Sequence, residues 1–276
     1  MNEARPPLVD PDAAAELIGP LTDIVIRAGA AILAVNRSAM KVDGKADGSP
    51  VTEADLAADR IIAAELAQLA PKIPSLSEER ARSAELPYEN SFFLIDPLDG
   101  TKEFVAGRNE FTVNLALVTH GTPLLGIVSA PALGLVWRGI VGRGAERLTF
   151  AAGKQLKEPV RTRLCPPPGE PWTVAVSRSH GDARTEAFIA ARPAAVRCEL
   201  GSAVKFGRLA EGAVDIYPRL SPTSEWDVAA GHAVVAAAGG KITDSKGAAL
   251  RFGAGGRDFI IPEFIAWGDP KAAQVS

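Results

Sequence analysis

Two aspartates, Asp96 and Asp99, lie three residues apart at the end of four apolar residues at 92–95 that predict a buried strand. Pro97 fixes φ and lacks an N–H, while Gly100 leaves room for a ligand close to the backbone, so a stiff turn is expected. Carboxylates aimed at one point from such a turn suit Mg²⁺, which prefers oxygen ligands and keeps waters for a phosphate substrate. The alternative is an Asp-rich β-turn that bonds only its own backbone.

Two more acidic clusters flank this run. Glu78 and Glu79 follow a short apolar segment at 73–76, and Asp227 lies in the first turn of a helix predicted over 226–238. Each has an ordinary interpretation: an aspartate in the first helical turn favours the helix dipole, and a Glu-Glu pair beside arginines is a solvated charged patch.

Thr52 and Asp55 form a Thr-x-x-Asp pair at the start of a predicted helix that runs to about Leu69. Capping explains both residues without any catalytic role. The apolar face of this helix is predicted to carry Leu56, Ile62, Leu66 and Leu69.

The elements that position these groups change in character along the chain. The first half predicts helices at 17–32 and 52–69, then strands at 92–95, 111–118, 124–130 and 134–141, with an antiparallel hairpin around 118–124. Asn114 interrupts an apolar strand, which indicates either a nearby polar site or a satisfied core asparagine.

Proline, glycine and basic residues accumulate over 142–170, which predicts a soft boundary. Beyond it, strands and helices alternate, which favours a parallel or mixed sheet covered by helices. The predicted elements are a strand at 173–177, a helix at 183–191, a strand ending near residue 200, a helix at 202–211, a strand at 213–217, a helix at 226–238 and a strand at 259–261. The fold class is therefore α/β, with an α+β first half and an α/β second half.

Composition limits the function classes. The chain has 276 residues, enough for a large core, and its net charge of −3 provides no field for nucleic acid or membrane surfaces. The apolar stretches are expected to be interrupted by charge before the roughly 20 residues that span a bilayer, so no integral membrane segment is predicted. Cys165 and Cys198 lack metal-site spacing and are expected to be reduced thiols.

Taken together, the Glu-Glu pair, Asp-Pro-Leu-Asp-Gly-Thr and Trp-Asp resemble the signature of the Mg²⁺-dependent, lithium-sensitive phosphatases of the inositol monophosphatase superfamily. The segment Pro-Val-Thr-Glu-Ala-Asp at 50–55 is similar to another family motif. The resemblance implies a layered αβαβα fold with a metal-bearing half at 1–145, a capping half at 146–276 and the active site between them.

The resemblance also implies roles for individual residues. Asp55 and Thr101 would position and activate the attacking water, and the Gly100 and Thr101 N–H groups would hold a phosphate oxygen. Two or three Mg²⁺ ions are implied, one bound by Glu78, Asp96 and the Leu98 carbonyl, and a second by Asp96, Asp99 and Asp227.

Within the superfamily, the chain looks more like the CysQ branch, the 3′(2′),5′-bisphosphate nucleotidases. The segments that carry this likeness are Asp-Gly-Thr-Lys-Glu-Phe at 99–104, Ser-Arg-Ser-His at 177–180 and the stretch from Gly201 to Thr223. The implied substrate-binding residues are Ser177, His180, Gly201, Ser202, Lys205 and Arg219. Unpaired N–H groups at 201–202 and the Lys205 charge would bind a second phosphate. The alternatives are an N-cap for Ser202, solvated charges for Lys205 and Arg219, and an ordinary loop position for His180.

The implied reaction is hydrolysis of 3′-phosphoadenosine 5′-phosphate, a by-product of sulfur assimilation, to AMP and phosphate. The implied setting is the cytoplasm, with a peripheral position at the inner membrane as an alternative. The implied protein is a monomer or homodimer whose partner is a small bisphosphonucleotide and which binds no nucleic acid. Two alternatives stay open: an inositol or other sugar monophosphatase, and a catalytically silent nucleotide-binding regulatory protein.

Overall fold

The central sheet is preceded by two long helices and a short strand pair: α1 (Pro11–Ala34), β1 (Val42–Gly44) with β2 (Pro50–Thr52), and α2 (Glu53–Leu69). Asp10 caps α1 by accepting from two backbone N–H groups, and Pro11 occupies the first helical position, where no N–H is needed. The computed structural model describes residues 7–37, 42–44, 50–83, 90–151, 153–178, 181–192, 194–253 and 259–274.

A seven-stranded sheet follows, with its strands adjacent in chain order. They are β3 (Ser75–Ser77), β4 (Ser91–Asp99), β5 (Thr112–Thr119), β6 (Thr122–Ala130), β7 (Leu135–Ile140), β8 (Gly144–Ala151) and β9 (Lys154–Val160). The β3–β4 pair is parallel and the other pairs are antiparallel. The short helix α3 (Thr101–Val105) begins directly after β4.

The elements of the second half are β10 (Thr173–Ser177), α4 (Ala183–Ala190), β11 (Val196–Leu200), α5 (Val204–Ala210), β12 (Ile216–Arg219), β13 (Thr223–Ser224), α6 (Glu225–Ala237), β14 (Lys241–Thr243), β15 (Ile260–Ile261) and β16 (Phe264–Trp267). Five of these strands form a second sheet in the order β11–β10–β12–β16–β14, which is mixed, as the alternating sequence pattern predicts. The predicted strand at 259–261 pairs with β13 instead of joining this sheet.

Side chains alternate across β4 and so divide the core. Phe93 and Ile95 pack with α1 and α2, whereas Phe92 and Leu94 face the core that contains α5 and α6. The second sheet packs on α5 and α6 with one face and on α4 with the other. The layers are therefore helix, sheet, helix, sheet, helix, which confirms the αβαβα fold.

Several predicted elements differ from the structure. Residues 144–160, inside the predicted boundary, form the β8–β9 hairpin of the large sheet, because antiparallel pairing with β7 continues past residue 142. The division of the chain at residue 145 stays a prediction. Leu56 was placed on the buried face of α2, but it is 44% exposed, and Ala54 and Ala58 are buried in that helix instead.

Helix α1 is the one helix in the described part of the chain that is long and apolar enough to cross a membrane. Asp23 and Arg27 lie inside α1, so charge interrupts this apolar stretch as the sequence predicts. Its residues Leu21, Ile24, Val25, Ala28 and Ile32 are buried in the protein core beside α2 and the large sheet. This packing is that of a core helix.

Helix α6 packs tightly between the two sheets. A Cβ added at Gly231 would lie 2.2 Å from the Phe206 ring. We expect Gly231→Ala to destabilise the fold by about 1–3 kcal/mol through overpacking, measured as a shift in the urea unfolding midpoint.

Gly19 in α1 provides a matched control, because a Cβ there meets nothing within 4 Å. Gly19→Ala is expected to raise stability by about 0.4–1 kcal/mol. Equal effects of the two substitutions would contradict the packing argument.

Candidate active site

Strand β4 carries Asp96 and Asp99 to the edge of a cleft. The strand runs past its predicted end at residue 95 and includes Pro97. Its pairing with β5 shifts register between Asp96 and Asp99, which is where Pro97 lies. Such a bulge re-aims side chains and also tolerates a proline, which cannot donate to the ladder. Gly100 follows with a φ of 88°, a conformation that favours glycine.

Asp227 approaches the same point from the other half of the protein. Carboxylate oxygens of Asp96, Asp99 and Asp227 lie within 4.8 Å of one another. The pKa of Asp96 is raised well above its ordinary value by burial and then by the charges of Glu78, Asp99, Asp227 and Asp55. The structure thus brings together the five acidic side chains that the sequence predicts for one site.

The Asp227 carboxylate is fixed by the start of α6. Its Oδ2 accepts from the Thr223 hydroxyl and from the Ser224 N–H at 3.2 Å. Burial and the nearby Asp99 charge raise its pKa to about 6, against the lowering effect of the Thr223 bond. The first-turn position that suggested an ordinary capping aspartate therefore also orients Asp227 toward the cluster.

Three of the carboxylates share one arrangement, in which donors of the protein bind one of the two oxygens. The bound oxygens are Asp96 Oδ1, Asp99 Oδ2 and Asp227 Oδ2. A converging, anionic, all-oxygen donor set is what Mg²⁺ prefers, and the repulsion that raises the Asp96 pKa is relieved by a bound cation. These residues therefore fit the metal that the family resemblance implies.

Asp55 serves two partners with its two oxygens. Its Oδ2 accepts from the Thr52 N–H at 2.8 Å and the Thr52 hydroxyl at 2.6 Å, so the predicted capping pair is present. Its Oδ1 accepts from Thr101 Oγ1 at 3.0 Å, and Thr101 Oγ1 also lies 3.2 Å from the Leu98 carbonyl oxygen. Asp55 therefore caps α2 with one oxygen and contacts the candidate site residue Thr101 with the other.

A cleft of about 200 Å³ opens beside this cluster. The residues lining it that were predicted from the sequence are Glu78, Asp99, Gly100, Thr101, Ser177, Gly201, Ser202, Lys205, Arg219 and Asp227. His180 lies outside the described residues. Residues of both halves thus line one cavity.

Lys205 is 3% exposed, so the solvated-charge alternative is wrong for it. Its ammonium donates to the Ser202 carbonyl at 2.7 Å and the Leu200 carbonyl at 3.2 Å, and lies 5.2 Å from the centre of the Tyr217 ring. Burial lowers its pKa to about 8. Arg219 is partly exposed and donates to the Pro222 carbonyl at 3.2 Å.

The segment between β11 and α5 differs from its predicted geometry. The Gly201 N–H was expected to be unpaired, but it donates to Glu110 Oε2 at 2.9 Å, and Arg178 holds that carboxylate at 2.5 Å. The N-cap alternative for Ser202 is also wrong, because α5 begins at Val204 and the Ser202 hydroxyl bonds Asp99. Their roles in substrate binding stay predictions.

Sequence reasoning missed Glu110, Thr112 and Thr223 as site residues. Glu110 reaches the site through the Gly201 N–H, which is remote in the chain. Thr112 is paired with Asp99 across β4 and β5 and also contacts Ser202. Thr223 precedes Asp227 by four residues, so the helix-start pattern could have identified it. Asn114, whose polarity within an apolar strand indicated a nearby site, places Nδ2 at 3.4 Å from Asp99 Oδ2.

Comparison with known proteins agrees with this geometry. The model of the inositol monophosphatase family matches residues 14–273. The chain belongs to the inositol monophosphatase family. Within this family, it is 42% identical over 230 residues to the 3′(2′),5′-bisphosphate nucleotidase CysQ of Escherichia coli O157:H7, covering 82% of this chain and 89% of that protein.

Solved structures of family members superpose on most of the chain. CysQ from Bacteroides thetaiotaomicron, a bacterial member of the inositol monophosphatase family, has 31% identity and a TM-score of 0.74, covering 90% of this chain and 95% of its own. An inositol monophosphatase from Zymomonas mobilis has 27% identity and the same TM-score, with coverages of 97% and 98%. Fold similarity alone therefore does not separate the two substrate classes.

Proposed function

We propose that this protein is a Mg²⁺-dependent 3′(2′),5′-bisphosphate nucleotidase that hydrolyses 3′-phosphoadenosine 5′-phosphate to AMP and phosphate. The observation that carries the proposal is one cleft lined by both an acidic cluster and cationic residues, which are Lys102, Lys205 and Arg219. A monophosphate needs only the acidic end with its metal, whereas a second phosphate gains from a second positive region. The identity to relatives named CysQ supports the same substrate class.

The proposal gives the metal ligands and the substrate-binding residues separate roles. Two or three Mg²⁺ ions, held by the four acidic ligands and the Leu98 carbonyl, would supply charge neutralisation and a lowered pKa for water. The Gly100 and Thr101 N–H groups would hold a phosphate oxygen. Ser177, His180 and Gly201 are proposed to border the nucleotide, and Lys205 and Arg219 to face its second phosphate.

Asp55 and Thr101 would handle the proton of the attacking water. Because Thr101 Oγ1 donates to Asp55 Oδ1 at 3.0 Å, its lone pairs are left to accept from a water. As the water oxygen bonds phosphorus, the water proton passes to Thr101 Oγ1 and the threonine proton passes to Asp55 Oδ1. The bond from phosphorus to the 3′-oxygen breaks, and that oxygen takes a proton from solvent. No covalent enzyme intermediate is needed.

The direct test is product analysis after incubation of the purified protein with 3′-phosphoadenosine 5′-phosphate and Mg²⁺. We expect AMP and one equivalent of phosphate, with turnover lost on chelation and restored by Mg²⁺. Accumulation of adenosine 3′-phosphate, or turnover that survives chelation, would contradict the proposal. A cytoplasmic location, a monomeric or homodimeric state and inhibition by lithium remain part of the proposal on the strength of the family resemblance.

Lys205 is expected to select the substrate instead of performing the chemistry. Two of its three N–H donors bond carbonyls, which leaves the third for a phosphate oxygen. We expect Lys205→Met to raise KM for the bisphosphate by roughly ten- to hundredfold, the worth of a charge-assisted hydrogen bond, with little effect on an aryl monophosphate. Arg208→Met is the matched control, because Arg208 is a cation on the same helix as Lys205 and bonds Glu211. Equal damage to both substrates by Lys205→Met would assign Lys205 a structural role.

The lowered pKa of Lys205 gives this selection a pH dependence. With a pKa of about 8, its ammonium loses its proton as pH rises through 8, well below the ordinary value for lysine. We therefore expect kcat/KM for the bisphosphate, which reports the free enzyme, to fall above pH 8 toward the Lys205→Met value. Parallel profiles for wild type and Lys205→Met between pH 7 and 9 would contradict this assignment.

A further inference from the structure

Ser202 has an uncommon backbone conformation for a residue with a side chain. Its φ is 53°, in the left-handed region that favours glycine. It lies between β11 and α5 in the capping half, yet its hydroxyl reaches Asp99 at the end of β4. Three anchors hold the surrounding segment: Glu110 at the Gly201 N–H, Asp99 at Ser202 and Ala203, and Lys205 at two carbonyls.

The donors around Asp99 converge on one of its oxygens. Asp99 Oδ2 lies 2.7 Å from Ser202 Oγ and 2.7 Å from the Ala203 nitrogen, and Ser202 Oγ also lies 2.9 Å from the Asp99 carbonyl oxygen. Thr112 Oγ1 lies 2.7 Å from Ser202 Oγ, so it can donate to the serine oxygen while the serine donates to Asp99. Two short bonds to a charged acceptor fix the rotation of the carboxylate.

We propose that Ser202 is a positioning residue that fixes Asp99 for metal binding, and is not a ligand of the substrate. Its single hydroxyl proton is used on Asp99, so Oδ2 is held by the protein and Oδ1 is the oxygen left for a metal ion. This inference rests on the proposed function, because it assumes that Asp99 binds the metal. It differs from the role the family resemblance implies for Ser202, which is contact with the nucleotide.

The arrangement also joins the two halves of the cleft. The same short segment orients a carboxylate of the acidic cluster and accepts the Lys205 ammonium through the Ser202 carbonyl. Partners that orient metal ligands typically contribute 10- to 100-fold to metal affinity. Because the Ala203 N–H still bonds Asp99 Oδ2 when the hydroxyl is removed, we expect a loss near the lower end of that range.

The test measures metal binding without substrate. Mg²⁺ is titrated calorimetrically, and Mn²⁺ by electron paramagnetic resonance, into wild type, Ser202→Ala and Ser202→Gly. Glycine relieves the positive φ while alanine keeps it, so a loss common to both variants reports the hydroxyl and not the backbone. We expect about tenfold weaker binding in both, and a KM for the bisphosphate at saturating Mg²⁺ within about twofold of wild type.

Ser91→Ala is the matched control. Ser91 lies at the other end of β4, where its hydroxyl accepts from the Val9 N–H at 2.9 Å, and we expect its loss to leave metal affinity unchanged. Unchanged metal affinity in the Ser202 variants, with a raised KM, would overturn the inference and make Ser202 a substrate ligand. If wild type itself bound no divalent cation, the proposed function would fail together with this inference, so the two failures are distinguishable.

Discussion

Asp99→Asn is expected to reduce turnover by about 10²–10³-fold while leaving the fold intact. The substitution keeps the shape of the side chain, and an amide oxygen in the Oδ2 position can still accept from Ser202 and Ala203. It removes one charge from a cluster in which the charge of Asp99 helps to raise the pKa of both Asp96 and Asp227. Steady-state phosphate release at saturating Mg²⁺ measures the effect.

Thermal unfolding in the absence of metal provides the control for Asp99→Asn. Since mutual repulsion among the acidic side chains falls, we expect a melting temperature equal to or above that of wild type. Retention of more than about a tenth of wild-type turnover, far short of the expected loss, would refute a metal-binding role for Asp99.

Thr101→Val is expected to lower kcat about 100-fold or more, within the range for proton-transfer groups, with little change in KM. Valine keeps the β-branched shape but removes the hydroxyl that links the attacking water to Asp55. The capping bonds between Asp55 and Thr52 remain, so α2 keeps its start. This substitution therefore separates the catalytic role of Asp55 from its capping role, which a substitution of Asp55 itself cannot do.

Thr243→Val is the matched control for Thr101→Val. The same Thr→Val change is made at Thr243, which is buried in β14. The Thr243 hydroxyl has no hydrogen-bond partner among the described residues. We expect unchanged kcat and equal or higher stability, because a buried unpaired hydroxyl is costly. A kcat for Thr101→Val within about threefold of wild type would remove Thr101 from the proposed proton path.

The parts of the site that local patterns encode were predicted from the sequence. The strand leading to Asp96, the cap formed by Thr52 and Asp55, and the first-turn position of Asp227 are each set by neighbouring residues. Their convergence on one point follows from tertiary packing, and only the family resemblance predicted it. For Asp55, the two interpretations weighed from the sequence are compatible, because each uses a different oxygen of the carboxylate.

The rest depends on contacts between distant segments. From the sequence alone, Lys205 was predicted to be a surface charge, because its burial depends on packing around α5. Its hydrogen bonds go to carbonyls that come within reach only when the 200–202 turn has folded. Glu110 occupies the Gly201 N–H from 91 residues away, and no local pattern predicts that contact. The β8–β9 hairpin was missed because β9 is an edge strand whose exposed residues carry little apolar signal.

The central claim, that the cleft is built for a substrate with two phosphates, is tested most directly by a ratio of specificity constants. Phosphate release is measured side by side with 3′-phosphoadenosine 5′-phosphate and with inositol 1-phosphate, at the same Mg²⁺ concentration and pH. The arrangement of Lys205 and Arg219 beside the acidic cluster predicts a larger kcat/KM for the bisphosphate. A larger kcat/KM for inositol 1-phosphate would contradict it.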